Sequence, residues 1–318
     1  YYHCDRSANY LARDYAKNIL DSCDPNAVLF TSGDNDTFPL WGVLEAYDYR
    51  KDVRVLCLSL VNTDWYVEQM KNVFDVPLSL TDEEILWYPY IAPDGREYSR
   101  PKKMFKDKPR NREVYMTPNM HDGRMVKVQD MIVDEVVIAN QWKYPIFFSS
   151  PPYAESPLKL RDHATTIGQV YRIDREPKPG LIDLDKSYDL FMNTYQFTGL
   201  NDCKVYRDEN ATGVFTGLGM SAIRLMDELM RQGDKERAVK LGNHMMEVYP
   251  EYWQTYFVLA DYRDKENDSA SADQLFRRLE DTLTSFLAQN PENQAYTQDL
   301  GMVKAELGRR HRETGKID

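Results

Sequence analysis

Two short polar turns carry the residue types best suited to chemistry. The first, Ser32-Gly33-Asp34-Asn35-Asp36-Thr37, follows the apolar run "AVLF" (27–30), and the second, Asn62-Thr63-Asp64-Trp65, follows "DVRVLCLSL" (52–60). Carboxylates and amides so placed can ligate a hard cation or bond to sugar hydroxyls. Trp41 or Trp65 can supply a flat apolar face beside them. The ligand-binding candidates are therefore Asp34, Asn35, Asp36, Thr37, Asn62, Thr63, Asp64 and Trp65, with no particular metal named by the pattern. A plainer reading stands beside this one. The same residue types at strand-to-helix junctions cap helices, each satisfying an orphan backbone donor for ~1 kcal/mol, and Gly33 gives the turn a permissive backbone. Asp34 and Asp36 are expected to differ. One should turn back to the amides around Thr37 and Phe38, while the other faces a crevice shared with Asn62 and Asp64.

Other chemical signatures are missing from the sequence. "GVFTGLG" (213–219) has the wrong glycine spacing for a dinucleotide fold and follows no strand-like run. No G-x-S-x-G elbow offers a nucleophile. The histidines, His3, His121, His163, His244 and His311, are scattered, without H-E-x-x-H or a comparable cluster. No catalytic residue and no cofactor are therefore assigned. Cys4, Cys23, Cys57 and Cys203 make no C-x-x-C pair. Cys57 reads as a small buried hydrophobe, and a Cys4–Cys23 disulfide has no support beyond its possibility. "RPKKMFKDKPRNR" brings together Arg100, Lys102, Lys103, Lys106, Lys108, Arg110 and Arg112. It is a solvated loop or, in the sharper reading, a patch for anionic lipid headgroups.

The elements that must hold these turns follow from periodicity. The segment beginning at Asp5 places Tyr10, Leu11, Tyr15, Ile19 and Leu20 near helical spacing. "AVLF" and "DVRVLCLSL" read as strands. A helix is expected over 37–48, with Thr37 or Asp36 as N-cap and Pro39 in its first turn. "WYVEQMKNVF" gives the next helix. Residues 76–125 look irregular. "VQDMIVDEVVIANQ" (128–141) resumes helical spacing, "YPIFFSS" (144–150) reads as a buried strand, and "TTIGQVYRI" (165–173) as one further edge strand. The helical "SYDLFMNTYQF" follows. Alternating helices and strands with short connections predict an α/β fold with a parallel-type sheet flanked by helices. In such sheets the carboxyl ends of neighbouring strands converge on one ligand crevice.

From about residue 214 no strand-like run survives. Four helical segments are expected, separated by "QGDKE", "YPEYW", "NDSAS" and "NPENQ". Ala238 and Pro250 match the second helix of a tetratricopeptide repeat. Gly242 and Met245 replace the usual aromatic and Ala, and Pro250 and Pro291 lie farther apart than the ~34-residue repeat. The expected division is an α/β domain over 1–213 and a degenerate tetratricopeptide-like helical domain over 214–318.

Length and composition bound the partners. The 318 residues suffice for two domains, and 42% hydrophobic with 12% aromatic residues supply a packed core. A net charge of −11 argues against nucleic acid, whose phosphates need a basic face. No apolar run approaches the ~20 residues that cross a bilayer. The chain opens at Tyr1 in ordinary sequence, without a visible signal peptide, so a fragment of a longer protein is expected, whose missing part can hold membrane segments or the chemistry.

"DRSANYLARDYAKNIL", "AVLFTSGDNDTFPLW", "DVRVLCLSLVNTDWYVEQMK", "VQDMIVDEVVIANQWKYPIFF" and "LFMNTYQFTGLNDCKVYRDEN" occur in that order across roughly residues 5 to 245. Together they resemble the C-terminal soluble part of bacterial multi-pass membrane proteins related to eukaryotic protein O-mannosyltransferases, which have a GT-C-type membrane half. The resemblance implies that glycosyl transfer from a lipid-linked sugar resides in that membrane half. It further implies a periplasmic accessory role for this chain, with tetratricopeptide-like helices at its end. The expected partners are the membrane half of the same parent and an acceptor protein in the helical groove, with anionic lipid headgroups as the sharper reading of the basic run alone. The family's catalytic acids match no position here. Two other readings remain: a stand-alone sugar- or metal-binding protein or enzyme using the Asp34/Asp36/Asp64 crevice, and a purely structural interaction module.

Overall fold

The computed structural model describes residues 8–85, 87–91, 97–101, 105–107, 112–114, 119–121, 124–126, 128–152, 158–207 and 209–313. They form two compact units. One comprises Ile19–Asp183, and the other the chain up to Asn18 together with Leu184–Asp318. The boundary expected at 213/214 falls inside a helix of the second unit.

The Ile19–Asp183 unit is a five-stranded mixed sheet with flanking helices. Helix α1 (Leu11–Ser22) leads into β1 (Val28–Thr31), α2 (Asp34–Ala46), β2 (Arg54–Cys57) and, after a 3-10 turn at Leu60–Asn62, α3 (Asp64–Asn72). A single-turn helix, α4 (Asp82–Ile85), precedes three antiparallel hairpins. These are β3 (Trp87–Ile91) with β4 (Glu97–Pro101), β5 (Phe105–Asp107) with β6 (Arg112–Val114), and β7 (Asn119–His121) with β8 (Arg124–Val126). Among its described residues, the stretch expected to be less regular thus contains three two-stranded ribbons. Prolines at 89 and 101 fit there, because a lone ribbon has two edges where a missing N–H breaks no ladder. Helix α5 (Val128–Asn140), β9 (Ile146–Phe148), β10 (Ala164–Ile167) and β11 (Val170–Ile173) complete the unit.

The strand order is β10-β11-β9-β1-β2. β9, β1 and β2 are parallel, whereas β11 runs antiparallel to β9 and β10 antiparallel to β11. The expected parallel-type sheet is mixed, with β9, β1 and β2 parallel, and the single strand expected over 165–173 is a hairpin. Its two-residue loop, Gly168-Gln169, puts glycine at φ 55, a left-handed backbone that glycine adopts without cost and that suits the strands' twist.

The three parallel strands are buried along nearly their whole length, as strands covered on both faces must be. Val28 and Phe30 of β1 point to a core shared with Tyr66, Val67 and Met70 of α3 and Met131, Ile132 and Val136 of α5. Phe30 stacks on Phe148 of β9 with ring centroids 4.8 Å apart. The α5–β9 turn is closed by Asn140, fully buried. Its Nδ2 donates to the Tyr144 carbonyl at 2.7 Å and its Oδ1 accepts from the Tyr144 amide at 3.0 Å.

In the other unit, the start of α1 meets the segment after α6 (Leu184–Asp189), which runs on into a π-helical turn at Leu190–Thr194. Asn18 exchanges two hydrogen bonds with the Gln196 backbone, at 3.0 and 2.8 Å. Buried Asp14 accepts from the Thr198 amide at 2.7 Å and pairs with Arg13 at 2.6 Å. These contacts join two of the sequence motifs physically. Five helices follow among the described residues, one more than expected: α7 (Glu209–Arg231), α8 (Lys235–Val248), α9 (Trp253–Lys265), α10 (Ser269–Gln289) and α11 (Gln294–Glu313). Each packs on the next. Gly242 accounts for one closeness, since a Cβ there would come within 2.8 Å of both Leu259 of α9 and Met226 of α7. Asp234 and Asp268 cap α8 and α10 by accepting from the amides of Arg237 and Ser271. Arg310 pins α11 through Asp264 and Asp273, both at 2.6 Å.

Candidate functional site

The polar turns lie at the carboxyl ends of β1 and β2, and β9 ends beside them. The chain leaves β1 toward β2 on one side and later places β9 on the other, so β1/β9 is the topological switch point where open sheets take ligands. Here the protein's own side chains occupy one another. Asp36 Oδ2 accepts from the Ser149 hydroxyl at 2.7 Å and from the Ser32 amide at 3.2 Å. The Ser32 and Ser150 hydroxyls are hydrogen-bonded. Behind them, Thr31 Oγ1 and Thr37 Oγ1 are 2.6 Å apart, and both residues are fully buried. Thr37 also donates to the Gly33 carbonyl at 2.7 Å.

This arrangement corrects the expected capping. Helix α2 starts at Asp34 with Gly33 as N-cap, a turn earlier than Pro39 suggested, and no side chain caps it. Asp36 does turn back, but to β1 and β9 rather than to the amides of Thr37 and Phe38. Asp34 and Asn35 are exposed in the first turn, where a carboxylate meets the favourable end of the helix dipole. At the second turn, Thr63 is the N-cap of α3 and its hydroxyl donates to the Leu60 carbonyl instead. Asn62 joins the 3-10 turn to α5, exchanging two 3.1 Å bonds with Gln129. Asp64 accepts from the Trp65 amide at 2.7 Å. Among the described residues no three His, Cys, Asp or Glu side chains gather as a metal site, so Asp34, Asp36 and Asp64 do not converge on a cation.

An open concavity of this unit lies elsewhere, beside β2. A groove of about 760 Å³ runs between α2 and α3 along this edge strand of the sheet. Trp41 and Leu44 line it from α2, and Val53 and Val55 form its floor. From α3 and its end come Trp65, Tyr66, Met70 and Phe74. The aromatics form a connected row. Phe38–Trp41, Trp41–Tyr66 and Trp65–Tyr66 centroids are 5.6, 6.3 and 5.6 Å apart. Trp65 stays 54% exposed and Phe38 52%, which a helix face devoted to the core would not leave.

Tyr66 decides what the groove can accept. An edge strand normally offers its free N–H and C=O groups to a further strand. Here the buried Tyr66 hydroxyl accepts from the Cys57 amide at 3.0 Å and lies 3.5 Å from the Val55 carbonyl. Burial, only partly offset by the Cys57 bond, pushes its phenol up to about 12. The edge is thus occupied by a side chain, and a peptide cannot simply add as a strand at that point. What the groove presents instead is aromatic faces and a polar rim, where Glu45 and Gln69 are exposed. Asp52 is already held: Arg50 bonds it at 2.9 and 3.0 Å, keeping its carboxyl below the usual range, and the Asn26 amide adds a bond at 2.8 Å. Arg54 closes one end, donating to the carbonyls of Phe74 and Asn26 while lying 4.1 Å over the Tyr144 ring.

Of the eight ligand-binding candidates only Trp65 lines this groove, together with Trp41, the other indole expected to supply an apolar face. Residues such as Met70, Val73 and Phe74 carried no functional signal, because their spacing is that of any helix packed on a sheet. The surplus of aromatics over one core-facing stripe of α2 and α3 was the available clue. For the basic run, Lys102, Lys103, Lys108 and Arg110 lie outside the described residues, as do the side chains of Arg100, Lys106 and Arg112. Cys57 is fully buried, as expected, while Cys4 also lies outside them. Among the described residues no helix is long and apolar enough to cross a membrane.

Residues 12–85 match the family described as TMEM260-associated domain 2. No curated protein and no solved structure matches the chain. The matched stretch contains both polar turns, β1, α2, β2 and α3, and every residue lining the groove. The chain thus carries, over less than a quarter of its length, a region similar to the TMEM260-associated domain 2 family.

Proposed function

We propose that this chain is an extracytoplasmic accessory region of a membrane glycosyltransferase of protein O-glycosylation, and that its α2/α3 groove holds a saccharide. One observation carries the reading: the aromatic groove lies wholly within the stretch similar to TMEM260-associated domain 2. Its chemistry supports the ligand class. Exposed indole faces pack on the apolar faces of pyranose rings, while rim carboxylate and amide groups bond to hydroxyls. The Tyr66 plug argues against an added peptide strand. The helical segment, read as a degenerate tetratricopeptide-like repeat, takes the acceptor protein, which its consecutive helix packing and the close approach at Gly242 support. Catalysis and the lipid-linked donor belong to the membrane half of the parent protein.

Titration of the chain with mannose and manno-oligosaccharides, followed by indole NMR signals, tests this. Trp65→Ala should weaken binding about tenfold or more while leaving the fold intact. Absence of binding to every sugar would overturn it. So would binding that survives Trp65→Ala but is lost in Asp34→Asn, which would favour the acidic-turn alternative.

A further inference from the structure

The turn between α5 and β9 holds Gln141 and Trp142 in left-handed backbones, at φ 45 and 63. A bulky residue in that region is an outlier, and it persists only where its surroundings over-determine it. Here they do. Asn140 brackets the backbone of Tyr144 with two hydrogen bonds, and the Lys143 amide donates to the Asn140 carbonyl at 2.8 Å. Yet the strained conformation is not used to bury the indole, since Trp142 stays 45% exposed.

A second turn beside it does the same. At the exit of α3, Val73 is 70% exposed and Phe74 42%, and Asp75 follows at φ 51. The two turns are braced against each other. The Tyr144 hydroxyl donates to Asp75 at 3.2 Å. Arg54 lies 4.1 Å over the Tyr144 ring and 3.6 Å from Asp75, and it donates to the Phe74 carbonyl at 3.0 Å. The Asp75 charge is thus met by Arg54, while the exposed Lys143 keeps its ammonium 4.5 Å from the centroid of the Tyr144 ring. Val73, Phe74 and Trp142 therefore stand on one rigid platform. It lies at the end of the sheet where the parallel strands begin, opposite the polar turns.

We infer that this platform docks on the interfacial zone of a phospholipid bilayer. Exposed indole and phenyl rings beside an ammonium are the residue set that settles between headgroups and acyl chains. The apolar side chains reach inward, and Lys143 meets lipid phosphate, a local charge complementarity in a chain of net charge −11. That overall charge repels an anionic surface, so apolar insertion supplies the affinity. A protein partner is anchored instead by side chains that fill pockets within a water-excluding ring, whereas these three project from exposed turns. Val73 and Phe74 also border the saccharide groove, but Trp142 lies outside its lining, so docking and sugar binding can fail separately.

The test mixes the whole chain with phosphatidylcholine vesicles, with and without bromine on the acyl chains, at low and high salt. The chain should sediment with the vesicles, and brominated lipid should quench its indole fluorescence, both with little dependence on salt. Trp142→Gly, which suits the left-handed backbone, should weaken sedimentation about tenfold or more and remove most of the quenching, with circular dichroism unchanged. Val73→Asp should weaken it about tenfold as well. Met220→Ala, at an exposed apolar position of the other unit, should leave it unaltered. No sedimentation of the parent chain would overturn the proposal, as would vesicle binding insensitive to both Trp142→Gly and Val73→Asp. Binding only to anionic vesicles at low salt would show a purely electrostatic contact and also overturn it.

Discussion

The carboxyl ends of β1, β2 and β9 and the groove between α2 and α3 lie within one unit, yet they use their residues in opposite ways. The first is rich in Asp, Asn, Ser and Thr, and there the side chains largely bond to each other: Asp36 to Ser149, Ser32 to Ser150, Thr31 to Thr37, Asn62 to Gln129. The second is lined mainly by aromatic and aliphatic side chains and leaves Trp65 more than half exposed. Polar residue type alone therefore does not locate a ligand. What matters is whether the hydrogen-bonding capacity of a side chain is spent within the fold, and whether apolar surface remains unspent.

Substitutions can break this comparison, beginning with the largest effect. Asp36→Ala removes a charged acceptor from two donors that follow different strands, Ser32 after β1 and Ser149 after β9, and should cost about 1.5–3 kcal/mol in denaturant unfolding. Asp36→Asn, which keeps an accepting oxygen, should cost distinctly less. An Asp36→Ala variant of unchanged stability would show that the switch point is open to ligand rather than stitched shut. Next, Tyr66→Phe leaves the Cys57 amide without its partner at the sheet edge, for about 1–3 kcal/mol. Its amide exchange should also accelerate, whereas unchanged protection would mean that another group covers the edge.

Smaller effects sharpen the picture. Asn62→Ala removes bonds to Gln129 but leaves the 3-10 turn its backbone, and should cost about 0.5–1.5 kcal/mol by thermal or chemical unfolding. Asp34→Ala, at an exposed first-turn position, should stay within about 0.5 kcal/mol of the parent. A large loss at Asp34 would restore a structural role that its surroundings do not provide.

Much of the parallel core was legible because its strands are short apolar runs bounded by turn residues. "AVLF", "VRVLCL" and "PIFF" lose polar alternation since both faces are covered, and that pattern survives in sequence. The mixed edge was not legible: "TTIGQVYRI" reads as one strand unless Gly168-Gln169 is recognised as a two-residue hairpin loop. The start of α2 was misplaced because Pro39 signals a first turn, whereas Gly33 begins the helix before it. Residue types at the polar turns were evident, but their partners, Ser149, Ser150 and Gln129, come from distant chain segments. The groove hid for the same reason. Its floor is an edge strand, and strand order depends on β9 crossing to the far side of β1, which no local pattern records.

The most direct test of the contrast is a paired titration with manno-oligosaccharides, reading the indole signals of Trp41 and Trp65 in the parent chain, Trp65→Ala and Asp34→Asn. The account predicts saturable indole shifts in the parent, about tenfold or greater weakening in Trp65→Ala followed through Trp41, and parent-like binding in Asp34→Asn. Binding that persists in Trp65→Ala and disappears in Asp34→Asn would place the ligand at the acidic turn and contradict it.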